Sequence, residues 1–146
     1  TYWRRTAPAP VMMTLDAAKR EVCSVVRERT SNPLHAIVLL NDPQYVEAAR
    51  KMGENLLKQF GNDHKAAVAK AFEQLTSRAA NDAELAVIVL SFEQQLAYFR
   101  DHPNETIKFL STGDAMRDMN LPADQIAAMG MVINLLLNYD ECVVRQ

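Results

Sequence analysis

A chain of 146 residues is long enough to close one hydrophobic core and is read as a single domain. With 49% apolar and 23% charged residues it lies outside the composition of disordered chains. A net charge of −2 excludes a general attraction of the whole chain to nucleic acid or an anionic membrane surface, and no apolar run approaches the ~18 residues of a membrane span.

The first stretch, TYWRRTAPAPVMMT, has bulky anchors, two prolines and no period. Prolines remove backbone donors and favour extended chain, so residues 1–15 are read as a strap over a helical body of residues 16–146. Helical character is expected from near Asp16 to about Arg29, with Asp16 and Arg20 within it one turn apart as a favourable pair.

Thr30-Ser31-Asn32-Pro33 follows. Ser31 or Asn32 is a cap, and Pro33 suits a first helical turn, where its missing N–H has no partner in any case. Leu34, Ile37, Val38 and Leu40 form the expected buried face of this short helix. Asn41-Asp42-Pro43 repeats the device and starts a longer helix through Tyr45, Val46, Ala49, Met52 and Leu56 to Phe60. A continuous helix across Pro43 would cost about 3 kcal/mol.

Gly61-Asn62-Asp63 ends that element. His64 to Arg78 is amphipathic through Ala67, Val68, Ala71, Phe72 and Leu75. Asn81-Asp82 caps a helix that places Leu85, Ile88, Val89, Phe92, Leu96 and Phe99 on one side. His102-Pro103 breaks it, Asn104 to Leu110 adds one or two turns, and Ser111 to Asn120 is a polar loop. Pro122 opens the last helix, with Ile126, Met129, Ile133, Leu136 and Leu137 facing the core. No alternating stretch predicts a strand. The expected fold is therefore all-α: an irregular helical bundle of five or six helices with an extended N-terminal strap.

The residues that carry chemistry are few. Cys23 and Cys142 lie 119 positions apart with no CxxCH or Cys/His ligand spacing, so neither haem attachment nor a metal site is expected within this chain. Whether the two pair is left open. His64 and His102 are read as solvated helix-boundary residues, and His35 as a partly buried, hydrogen-bonded imidazole. The seven methionines, with Met116, Met119, Met129 and Met131 as a group, are read as core or loop residues rather than metal ligands. Four glycines do not build a phosphate cradle, and no GxSxG or SxxK motif supports a serine nucleophile.

Charge is unevenly placed. Residues 1–30 hold six basic side chains (Arg4, Arg5, Lys19, Arg20, Arg27 and Arg29) against Asp16, Glu21 and Glu28, a local +3. The other 116 residues hold ten basic and fifteen acidic groups, a local −5. Guanidinium forks match carboxylate, sulfate and phosphate geometry. Two readings stand: a structural network of Arg4, Arg5, Arg20, Arg27 and Arg29 with Asp16, Asp42, Asp140 and Glu141, or a site for an anionic group such as that of a sulfated glycan.

The stretch TYWRRTAPAPVMMTLDAAKREVCSVVRERTSNPLHAIVLLNDPQYVEAA resembles a planctomycete-type family, the domain of unknown function number 1553. An aromatic–Arg–Arg start, DAAKREVC, and RERTSNPLHAIVLLNDP carry the likeness, and MVINLLLNYDE resembles the family's closing motif. His35 stands where the family has Gln, Ala80 where it has Pro, and Cys142 where it has an aromatic. The resemblance implies the C-terminal part of a large exported, multidomain bacterial protein, periplasmic or secreted. It implies cytochrome-c-like upstream domains as the place for a haem, beside the expectation from ligand spacing that no cofactor belongs to this chain. The partners it implies are the upstream domains of the same polypeptide, with an anionic glycan as the alternative. The role read from this is structural or binding. The competing reading is part of an enzyme assembly, acting on sulfated polysaccharide or in haem-linked redox chemistry, with upstream domains completing the active site.

Overall fold

The computed structural model describes residues 9–17 and 32–143. Among the described residues eight helices follow in chain order: α1 (Pro10–Thr14), α2 (Pro33–Asn41), α3 (Pro43–Phe60), α4 (His64–Thr76), α5 (Asp82–Asp101), α6 (Pro103–Leu110), α7 (Ala123–Leu136) and α8 (Asp140–Val143). No strand occurs among the described residues, and the chain is an all-α bundle.

The boundaries follow from local chemistry. Asn32 accepts the Leu34 N–H at 3.0 Å, with Pro33 opening α2. Asp42 serves both sides of the next corner. Its N–H donates to the Val38 carbonyl at 2.9 Å, and its Oδ1 accepts the Gln44 N–H at 2.9 Å. Pro43 disfavours helical torsions at the preceding residue, and Asp42 sits in the extended region at ψ 128°. Two helices therefore meet at one residue, as the cap–Pro pattern predicts. Asn81 and Glu84 close a reciprocal capping box at α5, both bonds 2.8 Å. At the α5–α6 corner the buried Thr106 hydroxyl bonds the Phe99 and His102 carbonyls at 2.8 and 3.0 Å, satisfying acceptors at the end of α5 where Pro103 supplies no N–H.

Helix α7 is the axis of the bundle and packs on α2, α3, α4, α5 and α6. Ile126, Ala127, Ala128, Met129, Val132 and Ile133 are at most 1% exposed, which explains its near-continuous apolar sequence. Small residues set its approach to α3. A Cβ on Gly53 would lie 3.1 Å from Met129 Cγ and 3.2 Å from the Gly130 nitrogen. A Cβ on Gly130 would lie 3.2 Å from Arg50 Cα. Phe72, Phe92, Leu57 and Val68 belong to the same buried core, each buried side chain contributing about 1.5–3 kcal/mol.

Four expectations are corrected. Residues 10–14 form the short helix α1 rather than extended strap, because Pro10 occupies the first helical turn, where its fixed φ is favourable. Asp16 does not start a helix: it lies at φ +53° in the turn after α1. The remainder of the helix expected to Arg29 lies outside the described residues. No residue of α2 is buried, and Leu34 and Ile37 are each 53% exposed. The reason is that α2 is apolar around its circumference and sits at the bundle's edge, where only one side meets neighbours. Finally, α4 ends at Thr76 rather than Arg78, because Ser77 turns into the left-handed region at φ +62°.

Candidate functional site

Helix α3 carries a second stripe beside its core face: Glu47, Arg50, Lys51, Glu54 and Lys58, at the three- and four-residue spacing of one helix side. Such a stripe is ordinarily solvated. Here Arg50 is 0% exposed and Glu54 2%. A lone buried charge costs several kcal/mol, so burial on this scale demands partners.

The partners come from the loop between α6 and α7. Arg50 Nη1 donates to Glu54 Oε1 at 3.0 Å, while Nη2 donates to the Ala115 carbonyl at 2.6 Å and the Thr112 carbonyl at 3.4 Å. Lys51 Nζ donates to Glu54 Oε2 at 2.8 Å and to the Met116 carbonyl at 2.5 Å. Glu47 faces the opposite polarity. Its two carboxylate oxygens accept the Asp114 and Ala115 N–H groups at 2.8 and 3.0 Å. Gly113 makes this approach feasible, lying at φ +86° where a Cβ would fall 1.9 Å from Glu47 Oε2. One turn further along, Lys58 pairs with Asp118 at 2.7 Å. That contact raises the lysine pKa and lowers the aspartate's. Glu54 thus pairs with both cations, while main-chain groups of residues 112–116 accept from Arg50 and Lys51 and donate to Glu47. The Arg50 Nε is left without a hydrogen-bond partner.

A second cluster joins three elements. Arg78, just after α4, donates from Nη1 and Nη2 to both Glu84 oxygens at 2.9 and 2.6 Å. From Nε and Nη2 it donates to both Glu141 oxygens at 2.7 and 2.8 Å. The guanidinium stands 4.9 Å over the Phe72 ring. The Tyr139 hydroxyl donates to Glu84 at 3.2 Å. The Arg78 bonds, and next the Asn81 N–H, hold the Glu84 carboxyl down at about 2. The same guanidinium lowers Glu141, and the two carboxylates raise Arg78.

Of the residues singled out in the sequence, Arg4, Arg5, Arg20, Arg27 and Arg29 lie outside the described residues, as do Lys19 and Cys23. Asp42 is a helix cap. Asp140 opens α8 and is exposed, while Glu141 binds Arg78. Asp16 Oδ2 lies 4.0 Å from His35 Nε2. Two histidine expectations are corrected. His35 Nε2 is buried without a hydrogen-bond partner, the Asp16 contact being too long for one. His64 is half-buried, its ring tilted 39° to that of Phe92 at 4.9 Å, with Nδ1 unpartnered, because the first turn of α4 packs onto α5. His102 is exposed at its helix corner, stacked on Tyr98 at 4.3 Å. Cys142 is a free thiol whose pKa burial pushes up.

Sequence reasoning missed the α3 stripe and Arg78. The available signal was charge at positions 47, 50, 51 and 54 interleaved with Ala49 and Gly53, together with a glycine in the later loop. A shallow apolar hollow of about 280 Å³ lies between Phe60, Ala66, Ala69 and Ala80, with Lys70 and Glu73 bonded to each other at its rim. No group of three or more His, Cys, Asp or Glu side chains suited to a metal occurs among the described residues. None of their helices is long and apolar enough to cross a membrane.

A family model described as protein of unknown function (DUF1553) matches residues 1–91, and the chain belongs to that family. The matched span contains α1 to α4, half of α5 and the whole α3 stripe, but not the loop that the stripe binds. No curated protein and no solved structure matches the chain.

Proposed function

We propose that this member of the DUF1553 family is a structural and binding module of a larger exported protein, and that it holds upstream domains of the same polypeptide. The observation that carries the reading is how the charged stripe of α3, with Arg50 and Glu54 buried and Glu47 and Lys51 half-buried, is used. Arg50, Lys51, Glu47 and Glu54 spend their bonds on one another and on main-chain groups of residues 112–116, fastening a loop to a helix. Supporting it, α2 has no charged residue in PLHAIVLLN and turns Leu34 and Ile37 outward, each half exposed. An apolar counterpart on a neighbouring domain suits that surface. In the same reading the basic segment of residues 1–30 pairs with carboxylates within the protein, through Arg4, Arg5, Arg20, Arg27 and Arg29.

The test uses the full-length polypeptide. Leu34→Lys with Ile37→Lys should weaken the hold between this module and its upstream neighbours, seen as faster proteolysis at the junction, while the module keeps its own melting temperature. Arg27→Ala or Arg29→Ala should lower the melting temperature by several degrees, with Lys19→Ala close to neutral. Unchanged proteolysis in the double lysine variant overturns the α2 contact. Arginine variants that melt like the parent but lose affinity for a sulfated glycan overturn the structural role of the basic segment.

A further inference from the structure

The loop fastened to α3 presents the two most exposed large apolar side chains among the described residues. Met116 is 88% exposed and Met119 75%. Exposed apolar side chains scattered singly need no explanation, but these two stand three residues apart on a segment whose backbone is held in place. Thr112, Ala115 and Met116 carbonyls receive Arg50 and Lys51, the Asp114 and Ala115 N–H groups bind Glu47, and Asp118 binds Lys58. None of those bonds uses a methionine side chain. Both thioethers therefore point into solvent from an anchored frame.

We propose that Met116 and Met119 form a site of reversible oxidation by hydroperoxides. A sulfur lone pair attacks the peroxide's terminal oxygen. An S–O bond forms as the O–O bond breaks. The sulfur is oxidised by two electrons to the sulfoxide, and the peroxide, reduced by the same two, leaves as water or an alcohol after proton transfer. Reach decides the rate, since the oxidant must collide with sulfur. The other described methionines are less open. Met13 is 40% exposed, Met12, Met52 and Met131 are half-buried, and Met129 is 0% exposed in the core. Oxidation at positions 116 and 119 turns an apolar surface polar and leaves the bonds that hold the loop untouched, whereas a sulfoxide at Met129 would place a polar group against α3.

The full chain, treated with hydrogen peroxide and sampled over time, reports the order by peptide mass spectrometry. Met116 and Met119 should convert about tenfold faster than Met129, with Met52 and Met131 between. The doubly oxidised chain should keep its helical circular dichroism and melting temperature, and methionine sulfoxide reductases should return both residues to thioethers. In denaturant all methionines should react alike, tying the difference to the fold. Met116→Leu with Met119→Leu should remove the fast phase. Met129 or Met52 reacting as fast as Met116 in the folded chain, or loss of helix with the first sulfoxide, overturns the proposal.

Discussion

Arg50 is an unusual residue to bury, and what surrounds it sets its energetic role. With Glu54 and the Ala115 carbonyl in place its charge is compensated. Arg50→Ala leaves Glu54 with Lys51 alone and strips two carbonyls of donors, so stability should fall by about 3–5 kcal/mol, read from the urea midpoint. Arg50→Met with Glu54→Leu should cost less than the two single changes together, because the double variant leaves no buried charge. Gly113 is the second residue with a specific requirement. Gly113→Ala should cost about 1–3 kcal/mol through its left-handed backbone and the contact with Glu47. Part of that loss should return in a Glu47→Ala background, where the contact is gone but the backbone strain is not.

Among the elements, α2 and α3 use the same cap chemistry to different effect. Asp42 caps α3, which places Val46, Ala49, Leu56 and Leu57 in the core. Asn32 caps α2, which buries none of its residues. Asp42→Ala should therefore lower the thermal midpoint by the equivalent of about 1 kcal/mol, and Asn32→Ala by less, because fraying α2 releases no buried residue. The α3–α7 crossing is held by absence of volume. Gly130→Ala places a methyl against Phe109 and Arg50 Cα and should cost about 1–3 kcal/mol by overpacking.

Across the whole molecule, Arg78 connects α4, α5 and α8 through two carboxylates, and this gives stability a pH dependence. Glu84 has a folded pKa of about 2 against an ordinary 4.5, with Arg78 as the main cause, and Glu141 is lowered by the same group. A depressed carboxyl contributes stability that is complete above its unfolded pKa and is lost as pH falls through the folded value. The melting temperature should therefore drop progressively from about pH 4.5 toward pH 2. Arg78→Met should flatten that slope while lowering stability at pH 7. A steep acid transition that survives unchanged in Arg78→Met would place the responsible carboxylates elsewhere. High salt should also weaken the cluster, since Arg78 is partly exposed.

The amino-acid sequence by itself determined the starts of four helices. Asn32-Pro33, Asp42-Pro43, Asn81 and His102-Pro103 act on backbone groups one to four residues away, so local chemistry suffices to place α2, α3, α5 and α6. The spacing of Ile126, Met129, Ile133 and Leu136 likewise announced a core face on α7. The sequence also carried the family resemblance, through motifs within the first fifty residues. What only the tertiary structure decided is which charged and apolar stripes are covered. Glu47 and Asp114 are 67 positions apart, Arg50 and Ala115 65, and Arg78 and Glu141 63. No helical period links such distances. The same packing left the apolar α2 at the edge and drew the charged side of α3 beneath a loop, because a helix's exposure depends on its neighbours as well as on its own pattern.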